Sequence, residues 1–285
     1  MRFLKIFIVC LFTASIAFAV FVRFTNKTDT AAPEISCSAD VVSASVNDTD
    51  KDLLKYVSAV DSKDGDISSS VIVEAISPFI SENSAKITYS VCDSDNNVSK
   101  LEKDIVFNDY HPPEFSFENQ HVYYVGASRV DLLSGVSATD CLDGDVSSRV
   151  VVSQSDIDLS QPGIYPVTYR VTSSKGITSE ITINAYVYAS RLAATIPLKT
   201  YLVYTDSSSP VVPEDYIESL PEKYVDSNDS TYDYEFEIVN DIDYTKTGIH
   251  YITYRITRTN KRNDLEEPVV IAESYLAVAV RGDKS

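Results

Sequence analysis

Two short acidic turns carry the strongest chemical signal in this sequence of 285 residues. Each turn has aspartates in the pattern D-x-x-D-G-D, followed by x-Ser-Ser. The aspartates are Asp61, Asp64 and Asp66 in the first turn and Asp140, Asp143 and Asp145 in the second. Carboxylates gathered in a turn are the hard oxygen ligands that Ca²⁺ prefers, so a calcium site is one hypothesis.

The same pattern is typical of a purely structural turn. Gly accepts a positive φ, and an Asp side chain accepts hydrogen bonds from nearby backbone N–H groups. The spacing is not that of an EF-hand loop, and no bidentate Glu follows at the distal position. We therefore favour the structural turn, keep calcium as the alternative, and expect no other cofactor.

A disulfide is a second hypothesis, because Cys37 and Cys92 fall in the same part of the chain and an exported protein can form one. The alternation of residues around Cys92 argues against it, since Cys92 faces outward if Tyr89 faces the core. Cys141 lies inside the second acidic turn. We interpret it as an unreactive loop cysteine; an exposed thiol that crosslinks two molecules is the alternative.

The composition leaves little material for catalysis or for nucleic-acid binding. Lys and Arg number 24 against 42 Asp and Glu, and the formal net charge of −18 repels phosphate backbones. The sequence has 3 His, none beside a Ser or Cys in a recognisable nucleophile setting. We predict that the protein is not an enzyme and does not bind nucleic acid. A hydrolase in the last part of the chain is the remaining alternative.

A triplet near the C-terminus, Arg281-Gly282-Asp283, resembles integrin-binding motifs. Motif matches of this length are weak, because short triplets arise by chance. The alternative is that the triplet is only a flexible end of the chain.

An apolar N-terminal segment indicates export. Arg2 and Lys5 precede an apolar run over residues 6–22. As a cleaved signal peptide, the run has an A-x-A-like processing site at Ala17-Phe18-Ala19; as an uncleaved anchor, its roughly 17 residues are at the lower limit for crossing a bilayer. Apolar residues continue beyond that site, which favours the anchor. Both alternatives place the rest of the chain outside the cytoplasm.

The remaining chain is an internal repeat with a period of about 80 residues. Residues 52–73 align without a gap with residues 131–152, and each stretch contains an acidic turn. A second piece follows each copy and recurs once more. The three copies of this piece are Ile87–Val91, Val167–Val171 and Ile252–Ile256. Three units therefore fill the exported part.

Within each unit the hydrophobic pattern is that of β-strands. Apolar and polar residues alternate so that Val167, Tyr169 and Val171 share one face. Clusters of Ser, Asp, Asn and Pro separate such runs, which is typical of a β-sandwich. We predict an all-β protein with an N-terminal hydrophobic helix and three tandem sandwich domains, each packed around its own inward-facing residues. The boundaries are 1–30 for the helix, then 31–109, 110–189 and a divergent 190–285.

The repeat resembles the bacterial surface Ig-like family, which is also found in some pesticidal crystal toxins. The resemblance lies in the D-x-x-D-G-D turn, the Ser-Ser-x-Val after it, and a strand like Gly163–Val171. It covers about residues 31–188; the last unit keeps only the tyrosine-containing strand and a degenerate turn at Asp226–Asp229. The resemblance implies an Ig-like sandwich used outside the cell as a spacer or adhesive module, without enzymatic activity.

The sequence thus predicts a non-catalytic extracytoplasmic protein, membrane-anchored or secreted, built of Ig-like modules for spacing, adhesion or protein interaction. Its partners would be the membrane, through the N-terminal helix, and an unidentified protein or glycan at the cell envelope. The alternative is a carbohydrate- or peptidoglycan-binding accessory protein of an envelope complex, with exposed tyrosines forming the binding face.

Overall fold

The computed structural model describes residues 2–25, 30–192, 194–220, 229, 231–262 and 267–282. The chain divides into two compact units, residues 1–109 and 110–285. Apart from an N-terminal helix and short helical turns, the described elements are β-strands in five sheets. The protein is therefore all-β.

The N-terminal helix, α1, spans Arg2–Thr25. Its described side chains between residues 7 and 21 are exposed. Across the described parts of the chain, no helix combines the length and the apolar character that crossing a membrane requires.

The first unit contains a three-stranded sheet, ordered β1-β3-β4, and a four-stranded sheet, ordered β2-β7-β6-β5. The strands are β1 Glu34–Cys37, β2 Val41–Ala44, β3 Val57–Asp61, β4 Gly65–Asp66, β5 Ile72–Ile76, β6 Ser84–Cys92 and β7 Val98–Phe107. A one-turn helix, α2 (Asp50–Leu53), lies between β2 and β3. Alternation dictates the burial of β6, because Ala85, Ile87 and Tyr89 are all 0% exposed while the residues between them are half-buried.

The first half of the second unit, residues 110–189, repeats this arrangement. Its strands are β8 Glu114–Phe117, β9 Val122–Tyr124, β10 Val136–Asp140, β11 Gly144–Asp145, β12 Val151–Ser155, β13 Gly163–Thr172 and β14 Thr178–Tyr188. They form sheets ordered β8-β10-β11 and β9-β14-β13-β12, and the edge strand β9 runs parallel to β14. The strand order in both sheets is the same as in the first unit.

The second half, residues 190–285, departs from the pattern. Its strands are β15 Leu202–Thr205, β16 Tyr232–Val239, β17 Gly248–Asn260 and β18 Val269–Val280, in the order β15-β18-β17-β16. Opposite this sheet, the described residues contain an isolated β-bridge, Leu198 to Ile217, and a short 3₁₀ helix, Pro213–Tyr216. Of the degenerate turn, residues 226–228 lie outside the described part of the chain. Asp229 is described and accepts the backbone N–H groups of Thr231 and Tyr232.

One tyrosine in each repeat anchors the tyrosine-containing strand through its buried hydroxyl. Tyr89, Tyr169 and Tyr254 are each 0% exposed. The Tyr89 hydroxyl donates to the carbonyl oxygen of Leu53 at 3.0 Å, and that of Tyr254 donates to the carbonyl oxygen of Pro213 at 2.8 Å. The Tyr169 hydroxyl lies 2.7 Å from Nδ1 of a buried histidine, His121. Each buried hydroxyl thus has a partner, as burial demands.

The hydrophobic cores of the two halves of the second unit meet at one strand, β18, and we call this arrangement the shared core. β18 is buried on both faces from Leu276 to Val280. Leu276 and Val278 contribute to the core of the second half, whereas Ala277 and Ala279 contribute to the core of the first half. This differs from the expectation that every repeat packs around its own residues. The small alanine side chains leave room for the neighbouring core to approach the strand.

Candidate functional site

The first aspartate of each acidic turn holds the turn together. Oδ1 of Asp61 accepts the backbone N–H groups of Lys63 and Asp64 at 2.8 and 2.9 Å. Oδ1 of Asp140 accepts the equivalent two N–H groups, both at 2.9 Å. The glycines that follow, Gly65 and Gly144, have φ values of 74° and 70°, which residues with a Cβ adopt at a cost. These are the contacts of a structural turn.

The other aspartates point to separate partners. The carboxylate of Asp64 accepts hydrogen bonds from the backbone N–H and the hydroxyl of Ser94, both at 2.8 Å. The carboxylate of Asp143 accepts hydrogen bonds from the same two groups of Ser174. These bonds tie the acidic turn to the loop that follows the tyrosine-containing strand. Burial alone would raise the pKa of the Asp143 carboxyl. Hydrogen bonds from Ser174 and from the guanidinium of Arg149 outweigh burial and hold that pKa below its ordinary value.

The last aspartate of each turn, Asp66 or Asp145, accepts the hydroxyl and the backbone N–H of the serine two residues later. These hydrogen bonds lower the pKa of both carboxyls. Among the described residues, no three or more His, Cys, Asp or Glu side chains are grouped so that they could hold a metal ion. Within each turn, the three aspartates thus have separate hydrogen-bond partners, and calcium binding stays an untested alternative.

The cysteine pair is not bridged. Cys37 lies half-buried in β1, and Cys92 lies exposed at the end of β6, in the other sheet. The Cys92 thiol makes a long contact of 3.5 Å with the carbonyl oxygen of Asp93. The outward orientation of Cys92 agrees with the strand alternation, and the disulfide hypothesis has no bond to support it. Cys141 is half-buried, and its thiol donates to the carbonyl oxygen of His111 at 3.3 Å.

Arg281 of the C-terminal triplet is engaged within the second unit. Its guanidinium pairs with the carboxylate of Glu114 at 2.6 Å and lies 4.0 Å from the ring centroid of Tyr204. These residues line a cleft of about 430 Å³ between the two halves of the unit. Residue 283 lies outside the described part of the chain, so the triplet as a whole is not described.

Two of the histidines have structural partners. His121 is only 6% exposed, and its Nε2 lies 3.2 Å from the carbonyl oxygen of Ser134 while Nδ1 faces the Tyr169 hydroxyl. Burial lowers the pKa of His121, so the ring is held neutral with Nε2–H as the donor. Nε2 of His250 lies 2.8 Å from the carbonyl oxygen of Lys246. Neither arrangement pairs a histidine with a nucleophile.

A smaller cleft lies at the junction of the two halves of the second unit, and we call it the tyrosine cleft. Its volume is about 260 Å³. It is lined by Asn119, Gln120, Val122, Tyr124, Leu192, Ala194, Thr195, Pro197, Tyr201, Glu273 and Ser274. Strand β9 supplies Val122 and Tyr124, and β18 supplies Glu273 and Ser274. The sequence indicates exposed tyrosines but not this site, because the lining residues come from segments about 150 positions apart.

One carboxylate organises the wall of this cleft. The carboxylate of Glu273 accepts hydrogen bonds from Nε and from a terminal nitrogen of Arg255, at 2.9 and 2.8 Å. It also accepts hydrogen bonds from the hydroxyls of Tyr188 and Tyr275. The rings of Tyr275 and Tyr186 stack in parallel with centroids 4.1 Å apart. Burial raises the pKa of Tyr188 to about 12 and that of Tyr275 further, so both hydroxyls remain protonated donors. The hydrogen bond to Glu273 raises the pKa of Arg255.

Parts of the chain are similar to characterised proteins. The pesticidal crystal protein Cry22Aa of Bacillus thuringiensis is 27% identical over 125 residues, which are 42% of this chain and 16% of that protein. A solved structure of CBM51-2 in complex with GlcNAc and INT domains from Clostridium perfringens ZmpB is 36% identical, covers 28% of this chain and 17% of that chain, and has a TM-score of 0.25. Drosophila N-cadherin EC1-4 is 12% identical, covers 80% and 63%, and has a TM-score of 0.21. This chain spans a small part of the length of the first two relatives, and TM-scores this low support no argument about function.

The family comparison concerns the first half of the second unit. The model of the family described as bacterial surface protein, Ig-like domain, matches residues 118–187. That range holds the second acidic turn, with strands β10–β13 and the Tyr169 anchor, which are the features that carry the resemblance in the sequence. Residues 118–187 are therefore similar to the Ig-like domain of bacterial surface proteins.

Proposed function

We propose that the protein is a non-catalytic, extracytoplasmic surface protein whose Ig-like modules act as a spacer or protein-interaction stalk. The domain family at residues 118–187 supports this proposal. The first unit supports it as well, because it has the same two strand orders and the same acidic turn. We assign one module to each of residues 31–109, 110–189 and 190–285, behind an export segment at residues 1–30.

The observation that carries the spacer role is the two-sided burial of β18. A strand whose opposite faces belong to two different cores cannot let its neighbours swing as they would on a free linker. Leu202, Ala277 and Ala279 belong to the sheet of the second half but pack into the core of the first half. Their side chains are therefore only 5%, 1% and 6% exposed. A stiff pair of modules keeps a fixed distance between whatever lies at its two ends.

Protease treatment of intact cells expressing the full chain tests the proposed location. We expect external protease to remove the protein while cytoplasmic markers survive. Recovery of protected, full-length protein from the cytoplasm would contradict the proposal. N-terminal sequencing then separates the two export alternatives, since a cleaved chain begins at Val20 and an anchored chain retains residues 1–19 and sediments with membranes.

A carbohydrate- or peptidoglycan-binding accessory role is the second candidate. The tyrosine cleft favours it, because tyrosine rings flanked by amide and hydroxyl side chains offer both apolar contact and hydrogen bonds. Incubation of the purified full chain with isolated cell envelopes tests this role. Sedimentation with the envelopes, reversed by soluble saccharide, is the expected result. Sedimentation that saccharide leaves unchanged points to a protein partner and to the first role.

A further inference from the structure

The lining of the tyrosine cleft selects for a particular kind of ligand. Its polar side chains are amides, hydroxyls and one carboxylate, and the carboxylate of Glu273 is already bound by Arg255 and two tyrosine hydroxyls. No Lys or Arg is among the lining residues, all of which are described. An anionic ligand would meet no cationic side chain among these lining residues, and a cationic ligand would meet only a carboxylate that Arg255 already neutralises. A neutral, hydroxylated ligand meets donors and acceptors of its own kind.

The size of the cleft restricts the ligand further. A volume of about 260 Å³ is just below the ~300–1,000 Å³ typical of pockets that enclose drug-sized molecules. One six-membered ring with its substituents suits that space, and a longer chain would have to extend beyond it.

Among the residues that line the cleft, Gln120 has a buried side-chain donor without a hydrogen-bond partner. Its Oε1 accepts the backbone N–H of Tyr275 at 3.2 Å, which fixes the orientation of the amide. Its Nε2 is buried and has no hydrogen-bond partner among the described residues. A buried donor without an acceptor is unfavourable, so an acceptor brought by a ligand would be rewarded. A sugar hydroxyl is such an acceptor.

The aromatic wall is held in place before any ligand arrives. Tyr124 on β9 lies beside Tyr188 on β14, with ring centroids 6.5 Å apart, and the guanidinium of Arg191 lies 5.4 Å from the Tyr124 centroid. Tyr188 is bound in turn to Glu273 of β18. Rings fixed in this way lose little conformational freedom on binding, which increases affinity.

We propose that the tyrosine cleft binds one neutral pyranose residue, with the ring packed against Tyr124 and a hydroxyl accepting from Gln120. This proposal deepens the second function proposed above and rests on it. The site takes an uncharged sugar at the end of a chain or as a branch, and it discriminates against amino sugars with a free ammonium and against uronic acids.

Saturation-transfer NMR and titration calorimetry on the purified full chain test the site. The probes are cellobiose, lactose and N,N′-diacetylchitobiose, with glucosamine and glucuronic acid as charged comparators. We expect transfer to at least one neutral saccharide and none to the charged comparators. The variant Tyr124→Ala should weaken binding at least about tenfold, as truncation of an aromatic anchor does.

Tyr232→Ala is a matched control, because Tyr232 is also half-buried and has a guanidinium, that of Arg258, 4.4 Å from its ring centroid. Binding should survive in this variant. A second variant, Thr195→Trp, fills the cleft from an exposed position and should abolish binding while the circular dichroism spectrum stays unchanged. Absence of transfer from every neutral saccharide, or equal binding by Tyr124→Ala and the wild type, would overturn the site. Protease accessibility on cells does not depend on the cleft, so the spacer proposal would survive that result.

Discussion

Loss of a single buried hydroxyl should destabilise each repeat by a similar amount. Tyr89, Tyr169 and Tyr254 are fully buried, and each hydroxyl has a hydrogen-bond partner elsewhere in its repeat. Tyr→Phe keeps the ring and removes only that bond. The net loss is about 1 kcal/mol for the hydrogen bond and up to about 3 kcal/mol where the buried acceptor finds no other donor.

The size of the unit converts this loss into a melting shift. For a folded part of about 80 residues, as in the first unit, each kcal/mol lowers Tm by roughly 4–8 °C; for the second unit, with about 170 residues, it lowers Tm by roughly 2–4 °C. Differential scanning calorimetry of the full chain should therefore show a larger shift for Tyr89→Phe, in one transition, than for the other two variants, which should both act on the other transition.

Tyr165→Phe is the control, because its hydroxyl donates to the carbonyl oxygen of Gln161 at an exposed position. We expect a shift within the error of the measurement. Unchanged melting in all three core variants would show that the buried hydroxyls contribute nothing. Shifts of Tyr169→Phe and Tyr254→Phe in two separate transitions would refute the shared core.

Three further predictions concern other parts of the molecule. Acid should destabilise the second unit, because burial lowers the pKa of His121. As pH falls through about 6.5, the unfolded chain takes up a proton at His121 while the folded chain resists it. His121→Gln should therefore reduce the fall in Tm measured from neutral to acid pH. In the native protein a thiol reagent should label the exposed Cys92 faster than the half-buried Cys37, and an intact mass lower by two hydrogens would contradict the unbridged pair. Ala277→Leu should cost about 1–3 kcal/mol by overfilling the shared core, and unchanged denaturant unfolding of the second unit would contradict that packing.

Much of the fold follows from features that repeat along the chain. The alternation in Val167–Val171 predicts the buried face of β13, and the alternation around Cys92 predicts its outward orientation. The D-x-x-D-G-D spacing predicts a turn, because Asp and Gly satisfy its hydrogen bonds and its positive φ locally. Local geometry determines these features, so the sequence contains their cause.

The shared core depends instead on which distant surface covers a strand. The continuous apolar run Leu276–Val280 is the signal of a strand buried on both faces, but it does not identify the second partner. The tyrosine cleft has the same origin, because Gln120 and Glu273 meet only after the two halves have packed. In the last repeat, the residues that would supply a second sheet have no alternating pattern. In the described part of the chain, an isolated β-bridge between Leu198 and Ile217 takes the place of that sheet.

Native-state hydrogen exchange tests the central claim most directly, namely that the two halves of the second unit form one stiff body. The amides of Tyr169 in β13 and Tyr254 in β17 belong to sheets of different halves. If the halves unfold together, both amides exchange with the same opening free energy and the same dependence on urea. A lower opening free energy and a shallower urea dependence at Tyr254 alone would mean that the second half opens by itself, which would contradict one stiff body.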